Sequence, residues 1–529
     1  MPRNKTMRPN DPHQSGTFAD FLVGSLHRWS DRIAFDDLEH QYSYRYCADM
    51  VSRIMAVLAR DGGVKGRGVG LLTVNSPFAW MVAAAIKISG GYMVALPFRG
   101  SPEDLSFFLT DGLVSALVVH EELAELGMRA AALSPNVTRT FTICGSSAGP
   151  DIIAEAEREG SRTLAVVPGI HPDDIVEIKY TGGTTGVPKG AAHTHWSMTT
   201  ASSIMPMSSH MPLTPRYLAA GPMSHSGYPW MAPVLNYGGT IVMNPMFEPD
   251  LFISTVETKN INLIMAVPTM IYKLLDIART RQVDFSSIER FIYSAAPMSV
   301  ERLGEAIDRF GLVFTQIYGT VEHLGIGTAL PAAVHSVDRP DILASCGLPM
   351  AMVAMTLLDD DGQEVANGAT GEICLRTPAM MKEYFNRPDE TEKAFAGGWM
   401  HTGDLATRDD CGYYTIVDRK KDVIVTGGFN VFSPQVEAII SAHPKVSMVA
   451  IIGVPDETWG EAVKAVVVPV AGETIDPAEI FAMVREKKGS VSTPKTVDIV
   501  ASLPLTNAGK INKRALRENY WPKDGRRVA

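Results

Sequence analysis

The residues with the clearest chemistry lie in one short segment, residues 181–190, which reads TGGTTGVPKG. Its four glycines let the backbone approach a polyanion and turn N–H groups toward it, while three threonine hydroxyls and Lys189 add donors and charge. The segment does not fit the Walker A pattern, because Pro188 precedes the lysine and Gly190 stands where a magnesium-binding hydroxyl is required. A flexible surface loop is the alternative, but this composition favours a loop that binds a triphosphate.

Six further motifs follow in the chain. They are PMSH at 222–225, SAAP at 294–297, YGTVE at 318–322, HTGD at 401–404, DRKKD at 418–422 and NAGK at 507–510. Together with the loop, they resemble in order and spacing the motifs of the adenylate-forming superfamily, which includes acyl-CoA synthetases, peptide-synthetase adenylation domains and beetle luciferases. The resemblance extends from about Phe18 to about Arg517.

The resemblance implies a two-step ligase that uses ATP, Mg²⁺ and CoA. A carboxylate attacks the α-phosphate of ATP and gives an acyl-adenylate and pyrophosphate, and the CoA thiol then displaces AMP. The first step brings an anion to a polyanion, so the site needs concentrated positive charge and oriented donors. By the resemblance, Lys510 supplies the key charge, Glu322 holds the magnesium ion, and Thr185 joins them as a catalytic residue.

The resemblance also assigns nucleotide-binding roles to residues of this chain. Tyr318 and an alanine pair match positions that enclose adenine, while Asp404 matches a ribose-binding carboxylate with Arg419 as its companion. The predicted ATP/AMP site comprises Thr181, Gly182, Gly183, Thr184, Thr185, Gly186, Lys189, Ala295, Ala296, Pro297, Gln316, Tyr318, Gly319, Thr320, Asp404, Arg419 and Lys510.

One motif departs from the family pattern. The family usually has a threonine immediately before the glutamate, where it is an additional phosphate donor, and this chain has Val321 there. Thr320 stands one residue earlier, and adjacent side chains point in different directions. We therefore expect weaker contacts with ATP at this point.

The acyl pocket is predicted from residues near these motifs, namely His225, Tyr228, Trp230 and Met298. No basic residue that would bind a second carboxylate is evident among the candidates, and the chain has 26 methionines, whose flexible thioethers can line an adaptable apolar pocket. We expect an apolar fatty, aryl or alicyclic acid. Gly427 and Gly428 are predicted to face the path of CoA.

Two alternatives to a CoA ligase stay open at this stage. A stand-alone adenylating enzyme would load a carrier protein instead of CoA. A non-catalytic nucleotide-binding sensor would have lost the reaction, although it would have to retain Glu322, Asp404 and Lys510. Pyrophosphate release and thioester formation distinguish the three.

Composition excludes several other classes of protein. The 529 residues carry a net charge of −10, which does not favour binding to nucleic acid, and no apolar run reaches the ~18 residues that an integral membrane segment requires. The five cysteines are scattered without CxxC spacing, so a cytoplasmic location is predicted. The expected partners are the carboxylic acid, ATP and CoA, and a homodimer is left open.

The elements that must position these residues alternate between strand and helix. Apolar runs at 69–74, 92–96 and 115–119 predict buried strands, and helix starts follow at Asn75–Pro77 and Ser101–Asp104. This alternation predicts an α/β fold with a largely parallel sheet. We expect a large N-terminal multi-subdomain α/β body over 1–417, a hinge at 418–422 in which Lys421 is the pivot, and a small mobile α+β C-terminal domain over 423–529.

Overall fold

The computed structural model describes residues 16–181, 188–224, 227–456, 458–506 and 510–521. The chain divides into two compact units. Unit 1 comprises Met1–Ser203, Pro229–Met243 and Pro378–Pro388, and unit 2 comprises Ile204–Tyr228, Asn244–Thr377 and Asp389–Ala529. The division into domains at 417 and 423 that the sequence suggests stays a prediction.

The strands within these ranges are given in chain order. They are β1 (Ile33–Asp36), β2 (Gln41–Ser43), β3 (Gly68–Leu72), β4 (Tyr92–Leu96), β5 (Val114–His120), β6 (Arg139–Ile143), β7 (Ile175–Thr181), β8 (Lys189–Thr194), β9 (Arg216–Ala219), β10 (Thr240–Met243), β11 (Leu263–Ala266), β12 (Arg290–Ser294), β13 (Phe314–Tyr318), β14 (Thr328–Leu330), β15 (Leu348–Pro349), β16 (Ala354–Leu358), β17 (Gly371–Arg376), β18 (Glu383–Tyr384), β19 (Met400–Arg408), β20 (Tyr414–Arg419), β21 (Ile424–Thr426), β22 (Phe429–Val431), β23 (Val446–Asp456), β24 (Gly460–Pro469) and β25 (Thr496–Ile499).

The α-helices of the same ranges follow the same order. They are α1 (Phe18–Arg28), α2 (Tyr44–Ala59), α3 (Pro77–Ile88), α4 (Pro102–Asp111), α5 (Ala124–Ala132), α6 (Ile152–Arg158), α7 (His195–Ser209), α8 (Met231–Asn236), α9 (Pro249–Lys259), α10 (Pro268–Ala278), α11 (Val300–Phe310), α12 (Pro340–Leu343), α13 (Pro388–Ala394), α14 (Ser433–Ser441), α15 (Pro477–Ser492) and α16 (Lys513–Glu518). None of the helices in the described ranges combines the length and hydropathy that a bilayer crossing requires.

Unit 1 contains a sheet with strand order β18-β8-β7-β4-β3-β5-β6. The pairs among β7, β4, β3, β5 and β6 are parallel, as the alternating pattern predicts, while β8 pairs antiparallel with β7 and with β18. The helix starts are also as predicted: Ser76 precedes Pro77 at the start of α3, and Ser101 and Asp104 form a capping box on α4. The strands β10, β1 and β2 are also neighbours in unit 1.

Unit 2 contains strands in the order β15-β14-β13-β12-β11-β9. The neighbours β9, β11, β12 and β13 run parallel, so their carboxyl ends lie at one edge. Two predicted site segments begin at that edge, SAAP after β12 and YGTVE at the end of β13. Ligands commonly bind beyond the carboxyl ends of parallel strands, so this edge is where a nucleotide site is expected.

A second, antiparallel sheet of unit 2 has the order β16-β17-β19-β20. Asp404 lies on β19 and Arg419 ends β20. The first two residues of the predicted hinge, Asp418 and Arg419, therefore belong to β20. Cross-strand pairing with β19 orders Asp418 and Arg419 despite their charge.

The C-terminal part of unit 2 forms a small α+β layer. Strands β22, β21, β24 and β23 are neighbours in that order, and β25 pairs parallel with β24. Helices α14 and α15 cover this sheet through a core of aliphatic side chains that includes Ile440, Val463 and Ile480. Burial of these side chains from water is the main favourable contribution to folding of such a layer.

Candidate active site

Asp404 lies at the centre of the predicted site. The hydroxyl of Tyr318 donates to its Oδ2 atom at 2.9 Å, and Nε of Arg419 lies 3.3 Å from Oδ1. The carboxylate is buried, and burial raises its pKa, while Arg419, Tyr318 and Lys510 act in the opposite direction. The two carboxylate oxygens are therefore oriented by two different side chains.

The pairing of Asp404 with Arg419 follows from strand register. The two residues are directly opposite each other in the antiparallel β19–β20 pair. Side chains at such positions lie on the same face and within reach of each other. The guanidinium is about half exposed, so it retains access to solvent and to a ligand.

Lys510 lies beside this carboxylate. Its backbone carbonyl accepts from the Thr506 N–H at 2.7 Å, its own N–H donates to Oγ1 of Thr506 at 3.2 Å, and Leu505 bridges to Ile511. These contacts hold the chain on either side of residues 507–509, and those three residues of the motif lie outside the described residues. The paired backbone of Thr506 and Lys510 therefore fixes the position from which the lysine side chain extends.

The charged groups that shift the pKa of Lys510 show which residues lie near it. Burial and the Arg419 guanidinium lower the pKa of Lys510 to about 8, while Asp404 and Glu322 raise it. Two predicted cations and two predicted carboxylates therefore share one cluster. Lys510, near the end of the chain, therefore lies close to the motifs at 318–322 and 401–404.

Glu322 lies in a tight turn after β13. A short 3₁₀ segment, Val321–His323, follows Thr320, and the Thr320 N–H donates to Nε2 of His323 at 3.1 Å. Gly319 fits because a Cβ there would lie 2.4 Å from Cα of Gly325. Among the described residues, the buried hydroxyl of Thr320 has no hydrogen-bond partner.

His323 is a buried residue of this turn that was not predicted from the sequence. Its Nδ1–H donates to the Ile326 carbonyl at 2.9 Å, since Nε2 accepts from Thr320. Burial lowers its pKa, so the ring stays neutral and holds both ends of the turn. In the sequence, the one signal was its position directly after Glu322 of the YGTVE motif. Its role could not be predicted from that position, because it depends on contacts within the turn.

The residues predicted to enclose adenine lie at the ends of β12 and β13. Ala295 follows β12 with φ of 80°, a left-handed conformation that is uncommon for alanine and often found at functional sites. Ala296 is partly exposed beside it, and Pro297 is exposed. Gln316 lies on β13, where its Oε1 accepts from the Tyr293 hydroxyl at 3.2 Å.

The flanks of the phosphate loop are described in unit 1, but the loop itself, including Gly182, Gly183, Thr184, Thr185 and Gly186, lies outside the described residues. Thr181 and Lys189 are directly opposite each other in the β7–β8 pair. Lys189 places Nζ 4.8 Å from the centre of the Tyr384 ring. The antiparallel pair therefore fixes where the loop leaves and re-enters the sheet.

Two buried polar clusters that were not predicted from the sequence support β7. Lys87 lies 2.6 Å and Lys179 2.7 Å from the carboxylate of Glu177, which is fully buried. These two ammonium groups hold the pKa of Glu177 at about 2 despite burial.

In the second cluster, the Tyr180 hydroxyl donates to Asp111 at 2.9 Å, and Arg387 pairs with the same carboxylate at 2.6 Å. Lys179 and Tyr180 immediately precede Thr181, where β7 ends. Both clusters therefore fix the strand from which the loop departs.

The predicted acyl-pocket residues fall into both units. Tyr228 and Met298 are buried in unit 2, and Trp230 is buried in unit 1. His225 lies outside the described residues. The assignment of all four to an acyl pocket stays a prediction.

The predicted CoA path and hinge lie in the C-terminal part of unit 2. Gly427 and Gly428 have φ of 56° and 80° in the turn between β21 and β22, and a Cβ at Gly427 would lie 2.4 Å from the Trp459 ring. Glycine is therefore required at the first of these positions. Lys421 is exposed and is the second residue after β20.

The hinge segment is anchored on both sides of Lys421. Oδ2 of Asp418 accepts from the Ser433 N–H at 2.7 Å, at the first turn of α14. Asp422 pairs with Arg517 of α16 at 2.8 Å. Carboxylates at helix N-termini bind the unpaired N–H groups there, so Asp418 acts as a cap for α14.

Two family models match the sequence. The model described as AMP-binding enzyme matches residues 24–385, and the model described as AMP-binding enzyme C-terminal domain matches residues 435–510. The chain belongs to the AMP-binding enzyme family. The predictions of family and of an α/β fold with a small C-terminal α+β domain are confirmed, while the mobility of that domain stays a prediction.

Relatives in this family cover almost the whole chain. The chain is 38% identical to a medium/long-chain-fatty-acid–CoA ligase, FadD8, of Mycobacterium tuberculosis, over 96% of this chain and 90% of that protein. It is 32% identical to a feruloyl-CoA synthase of an Amycolatopsis species, over 90% of this chain and 94% of that protein.

Solved structures also match almost the whole chain. The amide bond synthetase McbA from Marinactinospora thermotolerans is 29% identical with a TM-score of 0.86, over 96% of this chain and 100% of that one. ATP-bound MatB from Rhodopseudomonas palustris is 28% identical with a TM-score of 0.85, over 95% of this chain and 99% of that one.

Proposed function

We propose that this AMP-binding enzyme is an AMP-forming acyl-CoA ligase that activates an apolar carboxylic acid. The observation that carries the proposal is the cluster of Lys510, Asp404, Arg419 and Glu322 in unit 2. These residues come from four separated motifs, and the fold brings them together. Ligation of an acid to CoA, which is the second half of the predicted reaction, is also what the names of two relatives state.

The residues of the cluster have complementary tasks in adenylation. Asp404, oriented by Tyr318, accepts hydrogen bonds from the ribose hydroxyls, and Arg419 supplies charge beside it. Lys510 provides an ammonium group for the approach of the carboxylate to the α-phosphate. Preorganised cations of this kind stabilise the charge that develops in the transition state.

A magnesium ion fits the residues near Glu322. The carboxylate of Glu322 and the unpartnered hydroxyl of Thr320 are oxygen donors, and magnesium is typically held by one or two carboxylates together with phosphate oxygens and water. When bound, the ion would neutralise charge on the phosphates of ATP. Glu322 is the residue that we propose as its protein ligand.

The choice of an apolar acid rests on the candidate pocket residues and on the relatives. Tyr228, Trp230 and Met298 are buried and carry no cation that could pair with a second carboxylate. The relatives named above act on fatty acids and on ferulate, according to their names. We therefore expect a monocarboxylic acid with an aliphatic or aryl body.

A carrier protein is the second candidate acceptor. A fatty acid–[acyl-carrier-protein] ligase, ScoC, of Streptomyces coeruleorubidus is 30% identical over 90% of this chain. The carboxylate, ATP and magnesium requirements are the same for both acceptors, so only the thiol distinguishes them. A non-catalytic sensor is disfavoured, since each charged residue of the cluster is retained.

The decisive experiment measures pyrophosphate release from Mg-ATP with a panel of fatty, aryl and alicyclic acids, followed by thioester formation with CoA or with a pantetheinylated carrier protein. We expect release that depends on the acid, and acyl-CoA as product. Release with acyl transfer only to the carrier would establish the second candidate. Absence of release with every acid would refute ligase activity.

A cytoplasmic location and a homodimer also belong to the proposal. All five cysteines are unpaired, which suits a reducing compartment. Fractionation of cells and light scattering of the purified chain test these two points.

A further inference from the structure

A compact group of soft and hard metal-ligating atoms lies outside the nucleotide cluster. Cys374 and His401 are directly opposite each other in the antiparallel β17–β19 pair, and Glu372 lies two residues before Cys374 on β17. Residues two apart on a strand share a face, so register brings all three side chains to one side of the sheet. Their ligand atoms lie within 4.8 Å of one another.

The ring of His401 is oriented as in many metal sites. Its Nε2 atom lies 3.2 Å from the Ala396 carbonyl, which can only accept, so Nε2 carries the hydrogen. In the neutral ring, Nδ1 is then a bare lone pair. A backbone carbonyl that fixes the outer nitrogen is the common second contact of a metal-binding histidine.

The Nδ1 atom faces two further ligand atoms. Sγ of Cys374 is 3.4 Å away, and Oε2 of Glu372 is 3.3 Å away. Zinc–ligand bonds of about 2.0 to 2.3 Å in a tetrahedron place neighbouring ligand atoms about 3.3 to 3.7 Å apart. Without metal, the Cys374 thiol can donate its hydrogen to Nδ1, and a cation that displaces this proton would be shared by the sulfur, Nδ1 and the Glu372 carboxylate.

We propose that Glu372, Cys374 and His401 form a binding site for a soft divalent cation of the zinc type. A cysteine thiolate, an imidazole and a carboxylate are a three-ligand set that zinc takes, with water as the fourth ligand. A thiolate and a carboxylate neutralise the charge of the ion. Magnesium is disfavoured, because it prefers oxygen ligands.

Lys420 and the exposure of the three ligands determine whether a cation can reach the site. Lys420 places Nζ 3.7 Å from Oε2 of Glu372, but 2.6 Å from Asp360, so the ammonium can stay with Asp360 when a cation binds. Cys374 is fully buried, whereas the side chains of His401 and Glu372 are 26% and 12% exposed. Access is therefore from the side of the histidine and the carboxylate.

Occupancy of this site has a structural consequence near the nucleotide cluster. Oε1 of Glu372 accepts from the Gly403 N–H at 2.9 Å, and Gly403 precedes Asp404. A cation held by Glu372, Cys374 and His401 would cross-link β17 to β19 beside that contact. We therefore expect bound metal to raise the thermal stability of the full chain.

Co²⁺ is the probe for the experiment, because a cobalt–thiolate bond gives a near-ultraviolet charge-transfer band. The metal-stripped full chain is titrated with Co²⁺ and then with Zn²⁺, and Tm is measured with and without Zn²⁺. We compare the unmodified chain with Cys374→Ser, with His401→Gln and with the control Cys411→Ser, which changes an exposed cysteine.

We expect one cobalt per chain with the band in the unmodified chain and in Cys411→Ser, and bleaching of the band by Zn²⁺. The band should be absent in Cys374→Ser, and affinity should fall at least about 10-fold in His401→Gln. The proposal is overturned if the unmodified chain gives no band, if Cys374→Ser retains it, or if Cys411→Ser loses it. None of these readouts requires ligase activity.

Discussion

Tyr318 and Asp404 are joined by a hydrogen bond of 2.9 Å between residues 86 positions apart in the chain. The bond connects the carboxyl end of β13 in the parallel sheet to β19 in the antiparallel sheet. Arg419 holds the other oxygen of the same carboxylate. The orientation of Asp404 toward a nucleotide therefore depends on Tyr318 as well as on its strand partner.

Replacement of Tyr318 by phenylalanine removes this orienting contact. A hydrogen bond to a charged group contributes about 1.5–3 kcal/mol, so we expect kcat/KM for ATP to fall about 10- to 150-fold. The matched control is Tyr414→Phe, since the hydroxyl of Tyr414 donates to the Met355 carbonyl instead. Equal losses in both variants would indicate a general effect on stability.

Replacement of Lys510 by glutamine tests its role in adenylation. The change removes the only charged residue of the sequence 506–510, so we expect pyrophosphate release to fall about 100-fold or more. Formation of acyl-CoA from supplied acyl-adenylate should be retained. Lys488→Gln, at an exposed position of α15, is the control. Equal loss of both half-reactions would contradict a role specific to adenylation.

The low pKa of Lys510 gives a test that needs no turnover. Burial and Arg419 lower this pKa to about 8, so the reactive free amine forms as the pH rises through about 8. Hydrogen bonding to Asp360 raises the pKa of Lys420, which stays protonated over that range. Acylation of the nucleotide-free chain, followed by mass spectrometry of peptides, should label Lys510 at lower pH than Lys420. Coincident profiles would contradict the charge environment described for Lys510.

Ser447 is expected to favour the arrangement in which Lys510 lies in the cluster. Its hydroxyl donates to Oδ2 of Asp276 on α10 at 3.1 Å, while buried Arg302 holds Oδ1 at 3.0 Å. The Asp276 carboxylate is 26% exposed, so solvent weakens this bond relative to a buried one and its loss costs about 0.5–1.5 kcal/mol. In Ser447→Ala we therefore expect adenylation to slow about 2- to 10-fold. Thioester formation from supplied acyl-adenylate should not slow.

The control for Ser447→Ala is Ser254→Ala, which removes an exposed hydroxyl that bonds only within its own helix α9. Both half-reactions are measured in each variant. If Ser447→Ala slowed the two half-reactions equally, or neither, the contact with Asp276 would have no part in the placement of Lys510.

Val321→Thr restores the hydroxyl that the family usually has before the glutamate. We expect a lower KM for ATP, because the new hydroxyl would be an additional phosphate donor at the start of the Glu322 turn. Val337→Thr, at an exposed position, is the control. A KM that is unchanged or higher would show that the site does not use a hydroxyl at this position.

Local patterns were enough to predict much of the fold. The runs at 92–96 and 115–119 correspond to β4 and β5, and the capping signals at Ser76 and Ser101 mark the starts of α3 and α4. These features depend on residues within a few positions of each other. They are therefore visible without knowledge of the remote contacts.

The features that the sequence did not predict depend on remote contacts. Lys87 and Glu177 are 90 positions apart, and Cys374 and His401 meet only through the register of two strands. The order of Asp418 and Arg419 likewise comes from pairing with β19, which a charged run does not indicate. For the nucleotide cluster, family resemblance supplied the residues, Tyr318 among them, and the structure supplied the contact between Tyr318 and Asp404 and the role of His323.

The cap that Asp418 provides for α14 limits which pairs of parent enzymes can be joined at residue 422 in a chimaera. Asp418 belongs to β20 by its backbone and to the following segment by its side chain, which binds the Ser433 N–H. A chimaera joined at 422 would inherit residue 418 from one parent and α14 from the other. If the first parent lacked a carboxylate there, the hybrid would lose the cap. Parents for such an exchange should therefore be matched at this position before the crossover is chosen.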